Sequence, residues 1–355
     1  MKGYRAAPLP SDCHCHRLSA IARALVSVLV LFASACAPDK ASNDAPDYDL
    51  IIFSSHPAEL IRVVLDEFRE RSGLRVHVVA DGTGALLRRL RQGERADLLW
   101  GGGAESLVAN IDLFDSYDSP ERAFIPATLR DQDGYWTGFT VLPMVVFANK
   151  RLVQPGSLPR GWGDLIAPSL QGAVAYADPA SSGSSYTILR TMLVALGYPE
   201  RSEDAWRFIE GFVKAIAATP LKESALVYQG VASGEYIAGV SYENAGMDAQ
   251  RFGSDIVVIY PVEGSSAVPD GIAIVHGAEH RSAAQDFVDF ALSRDVAKVM
   301  AASFKRRSSR IDAPDPEGLL PLSSIPLVDY DFDAAVRERE STIERFQALV
   351  DANRP

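Results

Sequence analysis

Along most of this chain, short apolar runs alternate with stripes of apolar residues at helical spacing. Asp49-Leu50-Ile51-Ile52-Phe53 reads as a buried strand. Ser54-Ser55-His56-Pro57 then opens a helix with Leu60, Ile61, Val64, Leu65 and Phe68 on one side, Pro57 suiting its first turn and Gly73 its end. Next, Leu74, Val76 and Val78 alternate as in a strand, Asp81-Gly82-Thr83-Gly84 turns, and Leu86, Leu87 and Leu90 face inward from a helix closed by Gly93. Asp97 to Trp100, the turn Gly101-Gly102-Gly103 and a helical stretch from Ala104 to Asn110 repeat the order once more. Strand, loop and helix recurring three times is the pattern of an α/β layered domain.

After a Pro- and Asp-rich surface stretch, Thr140 to Asn149 is extended and apolar, and a second series begins. Ala173 to Ala177 reads as a strand, Ser181-Ser182-Gly183-Ser184-Ser185 as a small-residue loop, and Tyr186 to Leu196 as a helix closed by Gly197. Helices are expected around Trp206, Ile209, Phe212 and Val213, and from Leu226 to Val231; strands over Ile237–Val240, Ile256–Tyr260 and Ile272–Val275. Helices carrying Phe287, Val288 and Phe290, then Val336 to Leu349, complete the chain. Tyr242-Glu243 ends a strand and leads into the polar stretch Asn244-Ala245-Gly246. The glycine-bounded passage from Pro261 to Ile274 suits either a crossing between lobes or a plain surface turn.

The N-terminus follows a different pattern. Arg17 and Arg23 precede the apolar run Ala24 to Phe32, which ends in Ala33-Ser34-Ala35 and then Cys36. Positive, apolar and small residues in that order make an export signal over residues 1–35. The polar residues 36–47 that follow give a short buried helix nothing to pack against. Removing the 35-residue leader from the 355-residue chain leaves 320 residues. The leader carries Lys2, Arg5, Arg17 and Arg23 against Asp12, so its loss takes the net charge from -11 to -14. Cys13 and Cys15 leave with it, so the exported chain has no thiol pair for a disulfide and depends on packing. The metal-like cluster Cys13-His14-Cys15-His16 is discarded in the same step.

With 46 acidic and 35 basic residues and a pI near 5.1, the chain lacks the clustered Lys and Arg that a nucleic-acid partner requires. Beyond the leader, no apolar run reaches the ~20 residues that cross a bilayer.

In open α/β sheets, ligands bind where loops converge outside the carboxyl ends of the strands. Four such loops here are rich in Ser, Thr and Gly: Ser54-Ser55, Gly82-Thr83-Gly84, Gly101-Gly102 and Ser181 to Ser185. Each can bring hydroxyl and backbone N–H donors to a helix N-terminus, whose partial positive charge favours an anion. Taken singly, each is as well explained by ordinary caps and turns. Tyr242 and Glu243 can either pack at a strand end or hydrogen-bond the far end of a ligand.

Nucleotide chemistry is not supported, because Gly82-Thr83-Gly84 lacks the third glycine of a dinucleotide fingerprint and no Gly-Lys-Ser/Thr loop occurs. His276-Gly277-Ala278-Glu279-His280 matches the H-x-x-E-H string of zinc hydrolases, in which two imidazoles and a carboxylate meet on a helix face, but here His276 ends an apolar strand that Gly277 breaks, so the segment reads as a surface loop. A secreted hydrolase has no other support in the sequence.

Seven passages in order resemble the extracellular solute-binding proteins of bacterial ABC importers, in the ferric-iron, phosphonate and sugar-phosphate branch. They are Ala80 to Gly84, Ala96 to Gly102, Ala177 to Tyr186, Gly239 to Glu243, Tyr260 to Gly264, Val268 to Ile274 and Phe287 to Ser293. The resemblance implies an α/β, two-lobed type II periplasmic-binding-protein fold with two interlobe crossings and a ligand cleft. Lobe 1 is expected over 48–140, lobe 2 over 141–262, and the return to lobe 1 with the C-terminal helices over 263–355. Hinge closure would present the loaded shape to an ABC permease in the inner membrane. The implied protein is a monomer, not an enzyme, and needs no cofactor. The position of Cys36 resembles a lipobox, with Ala33 in place of the usual leucine. It implies an exported protein held at the periplasmic or outer surface by an acylated Cys36, with 36–47 as the tether and no other contact with the membrane.

Family members that grip ferric iron usually present two adjacent tyrosines where this chain has Tyr242 and Glu243, and a carboxylate can also ligate iron. The Tyr-Glu pair with the Ser/Gly loop looks more like members that bind phosphorylated sugars or aminoalkylphosphonates. The expected contacts of a small anionic solute are Ser54, Ser55, Thr83, Gly84, Gly101, Gly102, Ser182, Gly183, Ser184 and Ser185 on its phosphoryl oxygens, and Tyr242 and Glu243 beyond. If iron is bound instead, Tyr242 and Glu243 are its ligands. A third reading is a binding partner of a sensor kinase.

Overall fold

A computed structural model describes residues 48–354 apart from 155 and 252, and only the backbone of 248 and 251. The expected leader, the Cys13–His16 cluster, Cys36 and the tether to residue 47 lie outside the described residues.

The first half of the sheet contains β1 (Leu50–Ser54), β2 (Val76–Ala80), β3 (Leu98–Gly103) and β9 (Ala267–Val275), with the start of β5 (Thr137–Asn149). Its order is β2-β1-β3-β9-β5, with the first three strands parallel and the last two antiparallel to their neighbours. Short β4 (Phe114–Asp115) and β10 (Arg307–Ser308) add to β9 and β5. Both faces are covered, which is why these strands read as continuous apolar runs. Leu50, Ile52, Leu98 and Trp100 face α1 (Ala58–Ser72) and α8 (Arg281–Ala291), whereas Phe53 and Leu99 face α2 (Thr83–Arg91) and α3 (Ala104–Val108).

The far half of β5 belongs to a second sheet, between β7 (Ala238–Tyr242) and β8 (Ile256–Ile259), with β6 (Val174–Ala175) beside β7. Met144, Val146 and Val240 pack under α4 (Gly183–Ala195) and α5 (Ser202–Ala215). Val145, Phe147 and Ala175 pack on the side of α6 (Ser224–Ser233) and α7 (Glu243–Arg251). The protein is thus an α/β molecule with two lobes. Strand β5 makes one crossing, and the return into β9 makes the other. The passage from Pro261 to Ile274 resolves accordingly: Pro269, Asp270 and Gly271 lie within β9, paired with Val141, Thr140 and Gly138.

Four local differences from the sequence reading have physical causes. The stretch from Glu243 is helical, and Gly246 allows that helix to approach Phe147: a Cβ there would stand 2.3 Å from its ring. Gly183 to Ser185 form the first turn of α4, with the Ser182 hydroxyl as its cap. A further helix, α9 (Arg294–Phe304), follows the Ser293 cap. The C-terminal helix is two, α10 (Phe332–Arg337) and α11 (Arg339–Asn353), and Phe346 and Val350 of the second enter the core of the second lobe.

Candidate functional site

The strand-end loops of both lobes open onto one cavity of about 1030 Å³. Its first wall depends on the glycines after Trp100. Gly101 and Gly102 have φ of +111° and +92°, and a Cβ on them would stand 2.6 Å from Ser55 Oγ and from Thr83 Cγ2 respectively. Glycine alone lets the β3 end come against those two residues, gathering three loops of the first lobe. Helix α2 starts there after Gly82 with no side-chain cap, so its first N–H groups remain available.

The opposing wall carries the N-termini of α4 and α6. Ser182, Ser184 and Ser224 form a closed set of hydroxyls, with Oγ separations of 2.6 Å (Ser182 to Ser224), 2.7 Å (Ser184 to Ser224) and 3.2 Å (Ser182 to Ser184). Ser184 and Ser224 line the cavity, as do Tyr228 and Tyr242. Helix N-termini thus face the cavity from both lobes, which favours a negatively charged occupant.

Of the twelve expected contacts, Ser55, Thr83, Gly84, Gly102, Gly183, Ser184 and Tyr242 line this cavity together. The others are used within the fold. Ser54 is sealed in the core, its hydroxyl donating to the Trp100 carbonyl at 2.9 Å. Gly101 sits over Ser55 and His56. Ser182 caps α4, and buried Ser185 donates its N–H to that cap while its carbonyl accepts from Tyr176. Glu243 turns away to Arg307: Nη2 meets Oε1 and Nε meets Oε2, both at 2.8 Å, and Tyr260 donates to Oε1 as well.

Three arginines absent from the sequence reading line the cavity: Arg88, Arg306 and Arg339. Arg88 is exposed and stands one helical turn after Gly84, so its i,i+4 spacing was the available signal. Arg306 and Arg339 carried none, being more than two hundred residues from the first loops. Arg306 is 8% exposed; its Nη1 is held by Asp270 at 3.0 Å, His56 Nδ1 at 3.2 Å and Thr140 at 3.4 Å. Burial, then the guanidinium beside it, pushes the His56 pKa well below the usual histidine range, so the ring is neutral and Nδ1 accepts. Arg339 lies 4.3 Å from the centre of the Tyr186 ring.

Glu105 is the other residue that the sequence reading missed. It is 7% exposed on α3, and its Oε1 accepts from Thr187 at 2.8 Å and from Tyr330 at 2.5 Å. Burial raises its pKa, with the two hydroxyl donors pulling the other way. Because Thr187 belongs to α4, that bond spans the two lobes across the cavity.

The histidines of the H-x-x-E-H string are engaged separately. His276 Nδ1 lies 2.7 Å from Asp115, His280 Nδ1 lies 2.9 Å from Asp97, and Glu279 pairs with Arg95. Among the described residues no group of three or more His, Cys, Asp or Glu is placed to hold a metal ion, and no helix is long and apolar enough to cross a membrane.

Comparison with known proteins agrees with this geometry. The family model for bacterial extracellular solute-binding proteins matches residues 101–333. An uncharacterized protein of Haemophilus influenzae is 24% identical over 320 residues, covering 84% of this chain and 89% of the relative. Iron uptake protein A1 of Synechocystis is 24% identical over 289 residues, covering 74% and 77%. Among solved structures, the periplasmic binding protein AfuA of Actinobacillus pleuropneumoniae, with exogenous fructose-6-phosphate bound, superposes with a TM-score of 0.75. At 21% identity it covers 85% of this chain and 98% of its own, a likeness of fold.

Proposed function

We propose a function from the premise that this chain belongs to the bacterial extracellular solute-binding proteins, the ligand-capturing components of ABC importers: it captures a small phosphorylated or phosphonate solute between its lobes and delivers it to a permease. The observation that carries this reading is the meeting of Arg88, Arg306 and Arg339 with the Thr83, Ser184 and Ser224 hydroxyls around one cavity. Hydrogen bonds to a charged partner contribute about 1.5–3 kcal/mol each, so a few of them hold a phosphoryl group firmly. The mature charge of -14 does not oppose this, because net charge governs long-range encounter whereas oriented dipoles set the local potential.

A cavity of about 1030 Å³ also suits an organic solute better than a bare ion. AfuA, the relative in fold, was solved with fructose-6-phosphate. Calorimetric titration against phosphorylated sugars and alkylphosphonates tests the reading: micromolar or tighter binding of at least one is expected, and no binding below the millimolar range refutes it.

A second reading, ferric iron, is favoured by the likeness to an iron uptake protein and by Tyr228 and Tyr242 on the same wall. The commitment of Glu243 to Arg307 removes the carboxylate that it would have used. Loading with ferric citrate distinguishes the two, since phenolate ligation gives a visible charge-transfer band. For the sensor reading, a neighbouring kinase gene in place of permease and ATPase genes is the discriminating observation.

The family's place outside the cytoplasm supports export of this chain. We propose further that Cys36 is acylated. Cys36→Ser is then expected to move the protein from the membrane fraction to the soluble one, and an unchanged distribution counts against the anchor.

A further inference from the structure

The strands that cross between the lobes make the floor of the cavity, and its chemistry changes along them. Side chains two residues apart on a strand share a face, as do residues directly paired across an antiparallel ladder. Thr140, Leu142 and Met144 therefore stand on one face of β5, with Asp270 and Val268 of β9 opposite the first two and Tyr242 of β7 opposite the third. All of these but Thr140 line the cavity. At the first-lobe end the floor is charged, since Asp270 Oδ2 meets Arg306 Nη1 and the Thr140 hydroxyl, each at 3.0 Å. Beyond that pair, half-buried Leu142 and the almost wholly buried Val268 and Met144 present only hydrocarbon and a thioether. The Met144 N–H is already given to the Ser266 carbonyl at 3.1 Å, and its carbonyl accepts from the Ser265 hydroxyl at 2.6 Å. The groups that can hold an anion, Thr83, Arg88, Ser184, Ser224 and Arg339, stand on helices of the walls.

We infer that the captured solute has a hydrocarbon body, a ring or short chain resting on Leu142, Val268 and Met144, and that a polyhydroxylated body is selected against. This rests on the proposed function and narrows it among organic phosphorus compounds. Hydroxyls laid over the strip lose water and gain no partner from it, whereas C–H surface laid there is favoured. From Leu142 to Met144 the strand rises about 7 Å, the breadth of a six-membered ring. The phosphate or phosphonate stays with the wall groups, so the two ends of the solute are sorted by polarity: charge to the helices and arginines, carbon to the crossing strands. Leu142 is then the specificity-determining residue of the floor, being the one of the three that is only half-buried.

The test compares phenyl phosphate, cyclohexyl phosphate and glucose 1-phosphate, each a six-membered ring with the phosphate directly on it, by titration calorimetry on the exported chain. At least one hydrocarbon ring is expected to bind about tenfold or more tighter than the sugar, with a negative heat-capacity change. Leu142→Thr should shrink that ratio by weakening the hydrocarbon ligand and leaving the sugar phosphate unchanged; Val268→Thr, nearly the same shape, serves if the first variant does not fold. Phenyl above cyclohexyl phosphate supports an aromatic body, and equal affinity of the two supports hydrocarbon of either kind. Glucose 1-phosphate binding as tightly as both rings, or a ratio that survives in the folded variants, overturns the inference and leaves the proposed function standing. If neither hydrocarbon ring binds while other phosphorus compounds do, the inference is again overturned alone. If no phosphorus compound of any kind binds, the proposed function falls with it.

Discussion

Glu243 and Arg307 meet at the waist of the molecule, each with 2% of its side chain exposed, through two N–H···O bonds of 2.8 Å. Glu243 follows β7 of the second sheet, and Arg307 lies on β10 of the first, so the pair ties the lobes beside the β5 crossing. Arg307 also reaches Asp315 at 2.9 Å and the Leu320 carbonyl at 2.6 Å. Burial alone would lower the Arg307 pKa; the hydrogen bonds to Glu243, the charge of that carboxylate and Tyr260 together outweigh it and hold the guanidinium above its ordinary value. Removing Arg307 leaves the Glu243 carboxylate buried with Tyr260 as its remaining side-chain donor, and removing Glu243 leaves buried Arg307 with only the exposed Asp315 as counter-charge. Glu243→Ala or Arg307→Ala should therefore destabilise the protein by about 3–5 kcal/mol in urea unfolding. A change in ligand affinity with unaltered stability would return Glu243 to the cleft.

Arg88 behaves differently, since it is exposed on the cavity rim and stands in no ion pair among the described residues. Arg88→Ala is expected to weaken binding of an anionic solute by roughly 1 kcal/mol, to leave the unfolding midpoint in place, and to matter less as salt is raised. Thr83→Ala and Ser184→Ala remove uncharged donors and should each weaken affinity by about 0.5–3 kcal/mol with little salt dependence. If the affinities of both hydroxyl variants are unchanged, the phosphoryl site lies elsewhere.

Gly102 joins backbone strain to the shape of the site. Its φ of +92° disfavours any side chain, and a Cβ would press against Thr83 at 2.6 Å. Gly102→Ala should cost about 1–3 kcal/mol of stability and also displace the α2 N-terminus from the cavity. Calorimetry on the folded variant should show weaker anion binding; retained affinity would mean that the loop contributes only to folding.

Buried His56 makes stability depend on pH. Its folded pKa lies well below 6.5, so below about pH 6.5 the unfolded chain binds a proton that the folded protein does not. Stability therefore rises with pH through that window, and acidification below it costs up to about 1.4 kcal/mol per pH unit. His56→Gln keeps an acceptor for Arg306 and should flatten the slope relative to the unaltered protein, the other titrating groups being common to both. Equal slopes in urea unfolding would show that His56 is not the group responsible.

Much of the architecture was legible before any coordinates. The apolar run from Leu50 to Phe53, the stripe from Leu60 to Phe68 and the glycines after Trp100 are local patterns, and local patterns set strands, helices and tight turns. The short loops that line the cavity were legible for the same reason: Thr83, Gly84, Gly102 and Ser184 sit where a strand ends and a helix begins.

The division of labour among polar residues was not legible. Ser54 and Ser55 are adjacent, yet strand alternation sends one hydroxyl to the Trp100 carbonyl in the core and leaves the other on the cavity. Tyr242 and Glu243 part in the same way, the tyrosine to the cleft and the glutamate to Arg307, 64 positions along the chain. Arg306, Arg339 and the Glu105–Thr187 contact come together only when β5, β9 and the C-terminal helices cross between lobes. Hydrophobic periodicity acts over a few residues and so is written into the sequence, whereas the choice of partner for a charged group depends on which distant segments the fold brings within a few ångströms.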